Sequence, residues 1–245
     1  MVLIIETPAV MDDRIPDGSP QRNWCHEVNK DGDRLYVAWP EAGLVILDVS
    51  DPSEPTLVGR WDYVAPCNSG RLGAAHTAAP VPHPGTALPR LLALTDEIFE
   101  CPPGFGRILD IAAPSNPVVV GTYWIQGMHD AYDTVTGRFS CLRGHQSIHQ
   151  PNFDRRSPGS LFYPVWYDQG VRARDLSNPY QPKEVGYYFS PDYSMLPNDP
   201  GRHTREVFVD PDTSLLYVTD GNDGGLTVLR YTGPIPADPP IPGAR

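Results

Sequence analysis

Short apolar runs recur along the whole chain, many of them alternating with polar positions, and each is closed by Asp, Gly or Pro. Apolar positions repeating every second residue between turn formers predict β-strands joined by tight turns. The clearest stretch runs from Cys25 to Val28, turns at Lys30 to Asp33, continues from Arg34 to Trp39, turns at Pro40 to Ala42, and ends with Leu44 to Val49 and Thr56 to Trp61. These four strands make an antiparallel meander. A second is predicted over His76–Val81, Arg90–Thr95, Arg107–Ile111 and Val118–Trp124. A third spans Ile148–Phe153, Leu161–Tyr167, Val171–Leu176 and Lys183–Phe189. The last has only Thr204–Val209, Leu215–Thr219 and Leu226–Tyr231 before a proline-rich tail.

The second half of each of the first three meanders is the same phrase. It reads from Gly43 to Gly59, from Gly106 to Gly121 and from Gly170 to Gly186: an apolar strand ending in Asp, a turn with two prolines three apart, and a strand closing on Gly. Repetition at this pitch signals a propeller or solenoid, because one such unit cannot bury its apolar faces without a neighbour. The predicted fold is all-β, a small β-propeller of about four four-stranded antiparallel blades. The apolar Val2–Ile5 is expected to supply the missing strand of the last blade and close the ring, leaving no exposed hydrogen-bonding edge. A fragment of a larger ring, or a ring shared by two chains, are the alternatives.

The words Leu44-Val-Ile-Leu-Asp48 resemble the motif that names the LVIVD family of bacterial and archaeal β-propeller repeats. The resemblance covers most of residues 24–232. It implies a propeller, and it implies no particular activity, because propellers host enzymes, binding scaffolds and structural modules. The fourth copy departs from the pattern, with Leu229-Arg230-Tyr231 in place of the Leu-Asp ending. One domain is expected over 1–233, with blades at about 24–63, 74–125, 147–189 and 203–231 plus 2–5, an insertion at 126–146, and a tail at 234–245.

Charge narrows the partners. A formal charge of −11 and a pI near 4.9, with no basic run longer than Arg155-Arg156, repel phosphate backbones and anionic lipid, so neither nucleic acid nor membrane is an expected partner. The first residues carry no basic flank and only a short apolar run, so the protein is expected to be cytoplasmic as written, or exported if a leader was removed. Cys25, Cys67, Cys101 and Cys141 form no CxxC pair, and either two disulfides or buried thiols would account for them.

Candidate chemistry lies just before the repeated phrase. Histidine opens each predicted blade, at His26, His76, His149 and His203. The first strand of a propeller blade lines the central channel, so these four are expected to form a ring. Acids stand at or near the end of each second strand: Glu41, Asp96 with Glu97, Asp168 and Asp220. Antiparallel pairing puts the start of strand one and the end of strand two at the same rim. Neutral imidazole with carboxylate is a ligand set for Zn, Mn, Fe or Cu, and three or four such ligands with an open position suit a catalytic divalent ion. The four histidines are therefore expected as metal ligands, with Glu27, Asp96 or Glu97 as orienting groups or general base. Alternatively each histidine recurs because it bonds a carbonyl of the next blade, or it serves metal-free acid/base chemistry.

Further donors are weaker candidates. His129 sits in the insertion; His145 precedes His149 by four, but Pro151 and Ile148 argue against a helix that would bring the two together. His83, between prolines, reads as a turn residue. Asp220-Gly-Asn222-Asp223-Gly224 reads as a hairpin turn rather than a calcium loop, since it lacks the distal Glu. The aromatics around Phe162–Tyr167 and Tyr180–Phe189 are expected to pack between blades, with Trp39 and Trp166 close to the rim. No GxSxG, Walker, GxGxxG or HExxH motif appears. The expected function is a metal-dependent hydrolase or lyase acting on a small-molecule or glycan substrate. The alternatives are a non-catalytic binding scaffold and a metal-dependent oxygenase or oxidase; a homo-oligomer is left open.

Overall fold

The structure is a computed structural model. It describes residues 25–40, 42–63, 73–83, 89–99, 103–125, 147–154, 156–157, 160–189, 203–222 and 224–236, and the backbone of 132–133 and 138–139. Among them no helix occurs, and none is long and apolar enough to cross a membrane. Strands β1 (Glu27–Asp31), β2 (Arg34–Trp39), β3 (Gly43–Asp48) and β4 (Thr56–Trp61) form one antiparallel sheet in that order. Strands β5 (Ala75–Pro80), β6 (Leu91–Asp96), β7 (Gly106–Asp110) and β8 (Val118–Tyr123) form a second. Within the expected insertion, β9 (Tyr132–Asp133) pairs with β10 (Arg138–Phe139). The third sheet is β11 (Ile148–Phe153), β12 (Leu161–Trp166), β13 (Gly170–Asp175) and β14 (Lys183–Tyr188), and the fourth has three strands, β15 (Thr204–Val209), β16 (Leu215–Asp220) and β17 (Leu226–Arg230). Val2–Ile5, the expected closing strand, lies outside the described residues.

The strand positions follow the sequence pattern closely, with one shift. The first strand runs Glu27–Asp31, not Cys25–Val28, and it reaches Asp31 because the turn is a two-residue one at Gly32-Asp33. Gly32 takes the left-handed φ of 54° that such hairpins require, so Asp31 pairs with Arg34.

Each sheet presents its first strand to the interior: β1 lies beside β5, β5 beside β11, and β11 beside β15. Alternation then sends neighbouring residues of one strand into different cores. Leu92 and Leu94 of β6 join Tyr36, Leu44 and Ile46 between the first two sheets, whereas Leu91 and Ala93 join Phe162, Trp166 and Ile148 between the second and third. Tyr163 and Val171 meet Val207, Leu216 and Val218 between the third and fourth. Burying one such Leu contributes about 1.5–3 kcal/mol. The fourth sheet turns its other face outward. Phe208, Tyr217 and Val228 form one cross-strand row there, and Phe208 (54%), Val228 (51%) and Leu226 (60%) are exposed.

The repeated phrase has a physical reading at both ends. Its Asp caps the turn that follows: Asp48 accepts the N–H of Ser50 at 2.9 Å, Asp110 that of Ala112 at 2.8 Å, and Asp175 that of Ser177 at 2.8 Å. Its closing Gly receives the turn of the next blade. A Cβ on Gly59 would collide with the Pro114 carbonyl, and one on Gly121 with the Pro179 carbonyl. Gly186, which faces the divergent fourth blade, has nothing nearer than 3.5 Å to its Cβ position.

Two arginines occupy positions where the first copy has apolar side chains. Arg172 and Arg174 stand where Val45 and Leu47 do, and both are buried. Glu184 pairs with both, and Arg174 also donates to the Trp124 carbonyl and lies 5.5 Å over the Trp166 ring. The expectation that most aromatics pack between blades holds for Phe162, Tyr163 and Trp166. It fails for Tyr180 and Tyr187, because they lie on or next to the outer strand β14 and are about two-thirds exposed.

Candidate metal centre

Three of the four inner strands are bulged at their first residues. In β5 the pairing steps from Ala75↔Asp96 to Thr77↔Thr95, leaving His76 unpaired. In β11 it steps from Ile148↔Trp166 to Pro151↔Pro164, leaving His149 and Gln150. In β15 it steps from Thr204↔Asp220 to Glu206↔Thr219, leaving Arg205. A bulge re-aims the extra residue while the rest of the strand keeps its alternation. The residue equivalent to His76 and His149 in the fourth sheet is therefore Arg205, and His203 lies two positions earlier. His26 precedes an unbulged strand, but its backbone N–H still donates to the Ala38 carbonyl at 3.0 Å.

The rings meet in a row instead of a closed ring. His26 and His76 have centroids 4.0 Å apart, His76 and His149 4.0 Å, His149 and Tyr167 4.8 Å, and Tyr167 and His203 4.4 Å. Imidazoles from three separate sheets thus converge. His203 does not join them, because Tyr167, stacked on it at 21°, fills the intervening space.

Hydrogen bonding fixes the tautomers of the two inner imidazoles. Thr77 donates its hydroxyl proton to Glu27 at 2.7 Å, so its oxygen accepts from His76 Nδ1–H at 2.8 Å. His149 Nδ1–H donates to the Arg205 carbonyl at 2.6 Å. Both Nε2 lone pairs are left for another partner. Burial holds both rings neutral. It pushes His76 down to about 2, with His149, His26 and Arg205 adding to the effect, and His149 down to about 4 against the opposing pull of its carbonyl partner and Glu97.

Two carboxylates belong to this site. Glu97, just past β6, offers an oxygen that lies within 4.8 Å of donor atoms on both His26 and His76, and its Oε1 accepts the Tyr167 hydroxyl. Glu27 holds Thr77 and the Asn29 amide, and lies 3.9 Å from His76 Nδ1. Asp96 points elsewhere. Fully buried, it accepts from Arg107 and Tyr63 at the seam between the first two sheets. Asp220 caps its own loop, accepting the N–H groups of His203 and Asn222 at 2.9 and 2.8 Å. Asp168 lies 3.5 Å from His203 Nδ1, on the far side of Tyr167.

The other candidates fall away from the site or outside the described residues. His83 pairs with Asp31 at 2.6 Å, beside a cavity of about 550 Å³ at the opposite ends of the inner strands. Cys25 is exposed. Glu41, His129, His145, Cys67, Cys101 and Cys141 lie outside the described residues. The residues that sequence reasoning missed are Thr77, Tyr167 and Arg205. Thr77 and Tyr167 each adjoin a residue singled out for its chemistry, and Arg205 was passed over because His203, two residues earlier, took its place in the alignment of the blades.

Comparison with known proteins fits this architecture. A family model for the LVIVD repeat matches residues 27–63 and 107–124. No curated protein matches the sequence. Among solved structures, the periplasmic gluconolactonase of Pseudomonas aeruginosa is similar at 12% identity and a TM-score of 0.51, over 82% of this chain and 54% of that one. A protein from Lactobacillus plantarum matches at 10% identity and 0.47, over 83% and 55%. A putative 6-phosphogluconolactonase from Bacteroides fragilis matches at 13% and 0.45, again over 83% and 55%. The chain spans about half the length of these structures. With the phrase from Gly43 to Gly59 returning in the second and third sheets, and each sheet facing the interior with its first strand, the chain is a β-propeller that carries LVIVD repeats at residues 27–63 and 107–124.

Proposed function

We propose that His26, His76 and Glu97, with His149 alongside, hold a divalent transition metal, and that the protein is a metal-dependent hydrolase or lyase acting on a small polar substrate. The observation that carries this reading is the tautomer of the two buried imidazoles. Each spends its Nδ1–H on an oxygen and keeps an Nε2 lone pair, as ligating histidines do when an outer partner orients them. The donor set fits. Two or three neutral imidazoles and a carboxylate suit zinc and its neighbours, and one coordination position remains for substrate or water. Donor atoms around a tetrahedral zinc are about 3.4 Å apart, so the 4.8 Å span needs a small contraction, for which the exposed His26 is free enough to move.

An ion held there would polarise a substrate oxygen or lower the pKa of bound water. The chain's own residues supply the rest. Thr77 and Glu27 hold His76, and the Arg205 carbonyl holds His149. The gluconolactonase of similar fold is a hydrolase by name, but at 12% identity the likeness concerns the fold, and the reading rests on the site. The test is elemental analysis of protein purified without a histidine tag. About one transition metal per chain, lost in His76→Ala and in Glu97→Ala variants whose circular dichroism is unchanged, is the expected result. Folded wild-type protein that neither carries nor takes up metal would overturn it.

A binding scaffold is the second reading, and the outward row on the fourth sheet, with Phe208 and Val228 exposed on either side of the half-buried Tyr217, is the observation that favours it.

A further inference from the structure

Glu97 is held by a residue of a different blade. It follows β6 in the second sheet, in a stretch with no strand partner of its own, and its backbone is tied at the N–H, which donates to the Ala74 carbonyl at 2.8 Å. Its carboxylate is reached from the third sheet by Tyr167, 70 residues later in the chain, whose hydroxyl donates to Oε1. Tyr167 itself has little freedom. The ring is fully buried, its N–H donates to the Ser147 carbonyl, its own carbonyl accepts from Thr204 N–H at 2.9 Å, and Phe99, His149 and His203 crowd its faces and edge. A rigid, cross-blade hydroxyl therefore fixes the carboxylate that offers an oxygen within 4.8 Å of donor atoms on both His26 and His76. The same ring fills the gap that His203 would have to cross.

Resting on the metal-site reading above, we propose that Tyr167 is the positioning residue of the centre. It presents Glu97 as the carboxylate donor and confines the imidazole donors to His26, His76 and His149, leaving His203 outside the coordination sphere. Outer groups that orient a ligand are worth about 10- to 100-fold in metal affinity.

The experiment measures affinity for Zn²⁺ and Co²⁺ by competition with a chromophoric chelator, together with the visible spectrum of the Co²⁺ form. Tyr167→Phe keeps the ring and removes only the hydroxyl, so the packing of the row survives, and near-ultraviolet circular dichroism checks this. Its expected affinity is about 10- to 100-fold below wild type, with an altered Co²⁺ spectrum. Glu97→Gln weakens binding as well, and the double variant Glu97→Gln/Tyr167→Phe binds no worse than Glu97→Gln alone, because the hydroxyl acts through that carboxylate. His203→Ala binds like wild type. If Tyr167→Phe binds within threefold of wild type, or the two losses multiply, the positioning role is wrong while the metal site stands. If His203→Ala loses affinity tenfold, the exclusion of His203 is wrong. If the wild-type protein binds neither ion, the metal-site reading and this inference fall together.

Discussion

Arg107 and Asp96, on neighbouring strands of the second sheet, form an ion pair that faces the first sheet, with the carboxylate almost completely shielded from solvent and the guanidinium 5.4 Å over Trp61 and 5.3 Å over Tyr63. Removing the cation leaves a buried negative charge whose remaining partner is the neutral Tyr63 hydroxyl. Arg107→Met is expected to destabilise the fold by about 3–5 kcal/mol, the usual cost of stranding one half of a buried pair. Replacing both groups, as Arg107→Met with Asp96→Leu, is expected to recover part of that loss. Urea unfolding of the two variants decides it, and a single variant as stable as wild type would show that the pair does not matter.

The closing glycines make a paired test. Gly121→Ala drives a methyl group into the Pro179 backbone, which cannot move without separating two blades, whereas Gly186→Ala finds ordinary contact distance. The first is expected to lose about 1–3 kcal/mol as overpacking. The second is expected to change stability by less than about 0.5 kcal/mol. Thermal melts that rank the two in the opposite order would contradict the seating of each turn on its neighbour.

Acid is expected to weaken the metal-free protein through its neutral imidazoles. An unfolded histidine titrates near 6.5, and folding lowers His149 to about 4 and His76 to about 2. Between these values the unfolded chain binds more protons than the folded one. Stability is therefore full above pH 6.5 and falls as the pH drops toward 4. The share of His149 alone is about 3 kcal/mol at most over that window, and His149→Gln should flatten the curve by up to that amount. Denaturation midpoints measured from pH 7.5 to 4.5 provide the check, and a flat wild-type profile would refute it.

The outward row on the fourth sheet predicts behaviour at high concentration. Val228→Lys and Leu226→Lys are exposed changes and are expected to leave stability within about 0.5 kcal/mol. If the row mediates association, these variants shift sedimentation toward monomer at concentrations where wild type self-associates. Identical sedimentation of variant and wild type would remove the face from consideration.

The strands were readable from sequence because turn formers punctuate every one, and alternation then assigns each residue to a face. Even the boundaries of β11, β12 and β15 agree within a residue. The convergence of His26, His76 and His149 was also readable, since each opens an inner strand. Equivalence in the last blade was not. His203 looks like its counterpart by eye, but it stands two residues before the bulge position that His76 and His149 take, and only pairing with β16 shows that Arg205 holds that position. Asp96 misled for a related reason. It sits at the rim as expected, directly opposite Ala75, but its side chain turns into the seam toward Arg107, a partner that replaces an apolar residue of the first copy. Tyr167 carried no signal beyond its place at the end of a strand, because its role depends on a carboxylate from another blade.

The seating of turns on glycines also sets an order of events. Gly59 waits for Pro114, and Gly121 for Pro179, so each seam is completed by residues that leave the ribosome after the surface they cover. At these two seams the later turn has a finished neighbour to dock against, and assembly there can proceed from the amino-terminal side without long-range searching.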